Sequence, residues 1–155
     1  MYTKILVPMD GSETAERVLP TVEWFIQVSN VKEIVIVRVV EPLHVRDNLE
    51  HQFDPDERKN IEKDSKKMAE TYCAEIVKRL KTKKATITGK VLEGKPAEAI
   101  TKYVAKDKEV DLIIMATHSR SGVGKLLHGS TADEIIHEAE VPVLLVTPHG
   151  RKPEQ

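Results

Sequence analysis

The stretch "ATHSRSGVGKLLHGST", residues 116–131, sets small and cationic side chains between two apolar runs. A loop of that composition is a candidate cradle for an anion, and phosphate is the first chemistry to test. It is not a Walker A loop. Gly124-Lys125 is followed by Leu126, where a magnesium-binding Ser or Thr is needed, and position 119 is Ser instead of Gly. Nor is it a dinucleotide fingerprint, because Gly122-Val123-Gly124 lacks the third glycine and does not adjoin the first strand. What remains is "GSTAD". Gly129 lets backbone approach closely, Ser130 suits a helix N-cap, and Asp133 stands three residues on as its partner. A helix start with open N–H groups and small side chains is a ready anion site. A merely capped helix produces the same pattern more often. The functional reading gains from the combination of strand, long small-residue loop and capped helix.

Other residues could contribute. Asp10, in "PMDGS", stands beside Gly11 and on its own reads as a turn residue. Arg120 and Lys125 could add charge to a phosphate, with solvated loop cations as the simpler account. The six His residues show no HExxH or comparable ligand spacing, so no metal site is expected. No GxSxG elbow or other nucleophile motif occurs. Cys73 is the only cysteine, lies near a helical apolar stripe and reads as inert. "KRLKTKK" falls at a helix C-terminus, where cations complement the dipole. It lacks the aromatic interleaving of a nucleic-acid surface.

The elements that must position these residues follow from periodicity. "KILVPMD" reads as a buried strand and "EIVIVRVVE" as a second, β-branched one. Between them, Ala15, Val18, Leu19, Val22, Phe25 and Ile26 form a helical stripe with Ser12 as N-cap. Pro20 lies inside that helix and is expected to kink it. A longer helix starts with Asp54 as N-cap, Pro55 at N1 and Glu57 at N3. Its stripe is Ile61, Met68, Ala69, Tyr72, Ile76 and Leu80. "ATITGKVLEG" alternates like a half-exposed strand, and "KPAEAITKYVAKD" is a helix opened by Pro96. "VDLIIMAT" is the most hydrophobic strand. Ala132, Ile135, Ile136 and Ala139 mark the last helix, and "VPVLLVT" the last strand.

This β-α-β-α-β-α-β-α-β order predicts an α/β fold, a doubly wound sheet of five parallel strands covered on both faces. Ligands in such folds sit beyond the carboxyl ends of the strands, at the switch point. The chain of 155 residues reads as one domain over residues 1–148, with 149–155 as a flexible tail. The formal net charge of −1 gives no global field toward nucleic acid or an anionic membrane. No apolar run is long enough for a membrane span, and no signal-peptide order opens the chain. With one cysteine, a cytoplasmic location is expected.

Taken together, "KILVPMDGSETA", "GKPAEAI", "DLIIMATHSRSG" and "LLHGSTADEIIHEAEVPVLLV" resemble a universal stress protein over nearly the whole chain. In the ATP-binding branch of that family the loop reads Gly, two residues, Gly, nine residues, Gly, then Ser or Thr. Here Ala116, Ser119, Gly129 and Ser130 hold those positions, so the spacing is kept and the first two glycines are replaced. The resemblance implies ATP as ligand, with magnesium. It places Pro8 and Asp10 against the adenosine and Val39 near adenine. Ala116, Ser119, Gly129, Ser130 and Thr131 would meet ribose and phosphates. It further implies a stress-response or signalling module, not an enzyme beyond slow ATP hydrolysis. A homodimer paired through the last strand, residues 142–147, is also implied. The alternative is a family member that binds no nucleotide and acts as a protein-interaction dimer. A phosphoacceptor receiver is set aside, because it needs an acidic pair after the first strand and Lys-Pro after the last. Met9-Asp10 and Thr147-Pro148 stand there instead.

Overall fold

A computed structural model describes residues 1–43, 53–117 and 130–147. Its elements run β1 (Lys4–Pro8), α1 (Glu13–Glu16), α2 (Leu19–Val28), β2 (Glu33–Val40), α3 (Pro55–Arg79) and β3 (Thr86–Glu93). They continue α4 (Pro96–Lys106), β4 (Leu112–Ala116), α5 (Ser130–Glu138) and β5 (Val143–Val146). The strands form one sheet in the order β3-β2-β1-β4-β5, and every pairing is parallel. The α/β doubly wound architecture expected from the sequence is therefore present. The chain steps outward from β1 through β2 to β3, then crosses to β4 and β5. The order reverses between β1 and β4.

Each face of the sheet buries its own apolar layer. Ile5, Val7, Ile34, Ile36 and Ile114 pack with Val18, Val22, Cys73 and Ile76 beneath α1, α2 and α3. Leu6, Val35, Val37 and Ile113 pack with Ile100, Val104 and Ile135 beneath α4 and α5. Alternate residues of β1, β2 and β4 thus serve opposite layers, which is why their sequences are apolar without interruption. Fully burying each such side chain stabilises the fold by roughly 1.5–3 kcal/mol.

Several local expectations change. The first helix is not one kinked rod but two, because α1 ends at Glu16 and α2 begins at Leu19. Pro20 stands in the first turn of α2, where its missing N–H had no intrahelical partner to lose. Met68 is 70% exposed, so the buried stripe of α3 runs through Ala69, Cys73, Ile76 and Leu80 instead. Ile136 also faces outward. Ser130 is already helical, not the non-helical cap position expected for it. The Asp54 cap behaves as expected. Its carboxylate accepts from the N–H groups of Asp56 and Glu57, and Glu57 accepts from the Asp54 N–H.

Candidate functional site

The carboxyl edge of β1 is built by a short chain of contacts. Pro8 ends the strand, and the Met9 N–H still donates to Val37 O at 2.8 Å, so β1 stays aligned with β2 beyond its last residue. Asp10 is exposed and its Oδ1 accepts from the Ser12 N–H at 2.8 Å. Gly11 lies between them with φ +83°, a conformation that side chains disfavour. Ser12 then caps α1, its hydroxyl accepting from Ala15 N–H at 3.1 Å. The turn reading of Asp10 is thus correct, and the carboxylate still projects at the sheet edge.

A cluster of side chains stands behind this turn. An ideal Cβ on Gly11 would lie 2.6 Å from Nη1 of Arg38, so the guanidinium fills the space a side chain would need. Arg38 stacks over the Tyr72 ring, 5.0 Å from its centroid. The Tyr72 hydroxyl donates to Glu16 Oε1 at 3.2 Å, and Arg79 Nη1 donates to Glu16 Oε2 at 2.6 Å. Burial, reinforced by the Glu16 carboxylate, pushes the Tyr72 hydroxyl well above the usual tyrosine range. Strand β2, helix α1 and helix α3 are thereby tied together at the edge that carries Asp10. Sequence reasoning missed this cluster. The available signal was Arg38, the one charge inside the apolar run of β2.

Val39, in β2, is half-buried among the residues beneath α4 and α5, beside Leu92. Core packing is therefore one of its roles. Ala116 closes β4 and is 9% exposed, paired in register with Val146. It has ordinary strand conformation, so replacing the glycine of the family pattern costs no backbone strain at this position. Thr117 follows, 2% exposed, and its N–H donates to Val146 O at 3.0 Å. Because α5 carries the chain from β4 to the parallel β5, its first residues, Ser130 and Thr131, start at the same edge. Ser130 is exposed and Thr131 partly so, and Asp133 lies in the first turn. Ser119 and Gly129 lie outside the described residues, as do Arg120 and Lys125.

The structure therefore brings Pro8, Asp10 and Ala116 to the ends of the adjacent strands β1 and β4, at the reversal of strand order. Among the described residues no group of His, Cys, Asp and Glu could hold a metal ion. Cys73 is buried against Gly89, and burial raises its thiol above the ordinary cysteine value, which agrees with an inert side chain. No helix among the described residues is long and apolar enough to cross a membrane.

Known proteins are similar to this chain in sequence and fold. The chain is 28% identical over 160 residues to the universal stress protein MJ0577 of Methanocaldococcus jannaschii, covering 94% of this chain and 95% of that protein. It is 33% identical over 147 residues to a universal stress protein of Thermus aquaticus, covering 94% and 99%. The solved structure of MJ0577 superposes with a TM-score of 0.76 over 99% of both chains. A universal stress protein in complex with cAMP gives 0.67 at 21% identity, covering 94% and 97%. An Arabidopsis thaliana family protein with AMP bound gives 0.57 at 15% identity, covering 94% and 91%. The universal stress protein family model matches residues 1–147, and the chain belongs to that family.

Proposed function

We propose that this chain binds an adenine nucleotide, ATP with magnesium, in the crevice beyond β1 and β4. The observation that carries the reading is the turn at Asp10. It is locked by Ser12, backed by Arg38, and set beside the end of β4 where the strand order reverses. Asp10 accepts from a ribose hydroxyl, Pro8 and Val39 flank the base, and the backbone of Ala116 and Ser119 approaches the ribose. The phosphates fall to Ser130 and Thr131, at the start of α5, and the same reading assigns Gly129 to them. The adenine nucleotides held by two proteins of this fold, cAMP and AMP, support that ligand class. The protein then acts in the cytoplasm as a stress-response or signalling module, a homodimer whose conformation follows the bound nucleotide. Hydrolysis is slow, because among the described residues no general base besides Asp10 stands near and Asp10 is engaged in recognition.

The test begins with the purified protein. Denaturing it and identifying released small molecules by mass spectrometry should yield an adenine nucleotide. Titration calorimetry with ATP and magnesium should give saturable heat at high micromolar protein. No released nucleotide, no heat and no competition with a fluorescent ATP analogue would instead support an interaction dimer without nucleotide.

A further inference from the structure

The edge strand β3 and the flank of α3 beside it form a surface that the nucleotide reading does not use. Residues 77–92 hold Lys78, Arg79, Lys81, Lys83, Lys84 and Lys90, and no carboxylate. The rest of the chain is acidic, with 18 Lys and Arg against 25 Asp and Glu, so the cations are concentrated here. Three of these cations are occupied. Arg79 pairs with Glu16, Lys84 Nζ donates to Gln27, and Lys90 lies over the Tyr103 ring. Lys78, Lys81 and Lys83 make no ion pair among the described residues.

Beneath them lies a groove of about 360 Å³, lined by Ala74, Val77, Ala85 and Ile87, with Lys78 and Lys81 on its rim. Its direction follows from the helix. Tyr72 and Arg79 reach Glu16 on α1, so they mark the inner flank of α3. At 100° per residue, Ala74, Val77 and Lys78 fall on the opposite flank, toward the outside of the sheet, and Lys81 follows just past the helix end. Among the described residues β3 pairs with β2 alone, so its outer backbone edge is open. An extended segment laid along that edge would send alternate side chains to the α3 side, into the groove.

We propose that β3 accepts an extended acidic segment of a partner protein as an added strand, with one of its apolar side chains in the α3–β3 groove. Lysines on an edge repel a second copy of the same edge. The same lysines attract carboxylates, so the surface discriminates by charge as well as by shape. This surface lies at the sheet edge farthest from β5 and does not depend on nucleotide binding.

The test is fluorescence anisotropy with a fluorescein-labelled nonapeptide of alternating Glu and Val. Saturable binding is expected, weakening with salt, while a Lys-Val counterpart should not bind. The double variant Lys78→Glu/Lys81→Glu should lose about tenfold or more in affinity. Ala74→Trp, at an exposed helical position, should fill the groove and give a similar loss. Methylating alternate backbone amides of the peptide should also abolish binding, as strand addition requires. Circular dichroism on each variant should show an unchanged fold. No saturable binding, or binding indifferent to both variants, overturns the proposal. Equal affinity for phosphatidylserine vesicles or single-stranded DNA also overturns it, by showing a general polyanion patch.

Discussion

Arg38 and Gly11 occupy each other's space: the guanidinium stands where a side chain on Gly11 would project, 2.6 Å from the ideal Cβ position. Gly11→Ala should therefore destabilise the protein for two reasons. Its φ of +83° costs a residue with a Cβ roughly 1–2 kcal/mol. The added methyl also displaces Arg38 from the Tyr72 ring, a contact worth about 0.5–1 kcal/mol at a partly exposed site. Urea denaturation measures the sum. A midpoint equal to that of the unmodified chain would show that the turn relaxes freely.

Asp10 carries two separable duties. Its Oδ1 holds the turn through Ser12, and in the proposed function the carboxylate also accepts from a ribose hydroxyl. Asp10→Asn keeps an acceptor for the Ser12 N–H, whereas Asp10→Ala removes both contacts. Asp10→Ala should weaken competition against a fluorescent ATP analogue by about tenfold or more, as for loss of a charge-assisted hydrogen bond. Asp10→Asn should fall between it and the unmodified chain. Equal affinities for all three would remove Asp10 from the site.

At the amino ends of the strands, Lys4 is held by Asp107 at 2.9 Å, Glu33 at 3.2 Å and Glu109 at 3.6 Å, with its side chain 12% exposed. The hydrogen bond to Lys4 lowers the Asp107 carboxyl below its ordinary value, and the hydrogen bond to Asp107 raises the Lys4 amine. The lowered Asp107 contributes stability that is present above the unfolded aspartate value of ~3.9 and is lost as pH falls through the folded value. The raised Lys4 contributes stability that is full below the unfolded lysine value of ~10.4 and is lost as pH rises toward the folded value. Asp107→Asn should flatten the acid limb of a stability-versus-pH curve and lower the plateau between those limits. An acid limb unchanged by the substitution would remove Asp107 from that role.

The strands were legible because β1, β2 and β4 are buried on both faces, and their residues say so consecutively. The site was legible only where local chemistry writes itself, as with Asp10 beside Gly11, or where a family pattern fixes spacing, as with Ala116 and Gly129. The Arg38–Tyr72–Glu16–Arg79 cluster joins residues up to 63 positions apart, which no local pattern encodes. The break between α1 and α2 was hidden because the apolar stripe runs on through Val18 and Leu19. Pro20 pointed to it. A proline fits the first turn of a helix better than its middle, so a new helix was the more economical account. Met68 sits at helical spacing from Tyr72, which is itself at the margin of the buried stripe, and lies about 100° round the helix from Ala69, so it faces outward.

β5 lies at the end of the sheet next to β4, with Leu144 36% exposed and Val143, Leu145 and Val146 partly so. Four consecutive apolar residues on an edge would favour uncontrolled association if left bare. The contrast with β3 is informative, because that edge carries Thr86, Thr88 and Lys90 and no comparable run. An apolar edge that meets its own copy about a two-fold axis satisfies its open backbone groups and closes the assembly. Pro142 precedes the strand, where its missing N–H interrupts no pairing within β5. The unmodified protein is therefore expected to elute as a dimer, and light scattering during gel filtration reads its mass directly. Leu144→Lys should shift it toward monomer without unfolding, since this side chain is exposed and the lysine would face its own copy across the axis. Leu145→Pro should remove a backbone donor and break the pairing or the strand itself. A monomer mass for the unmodified chain at tens of micromolar would exclude the β5 dimer under those conditions.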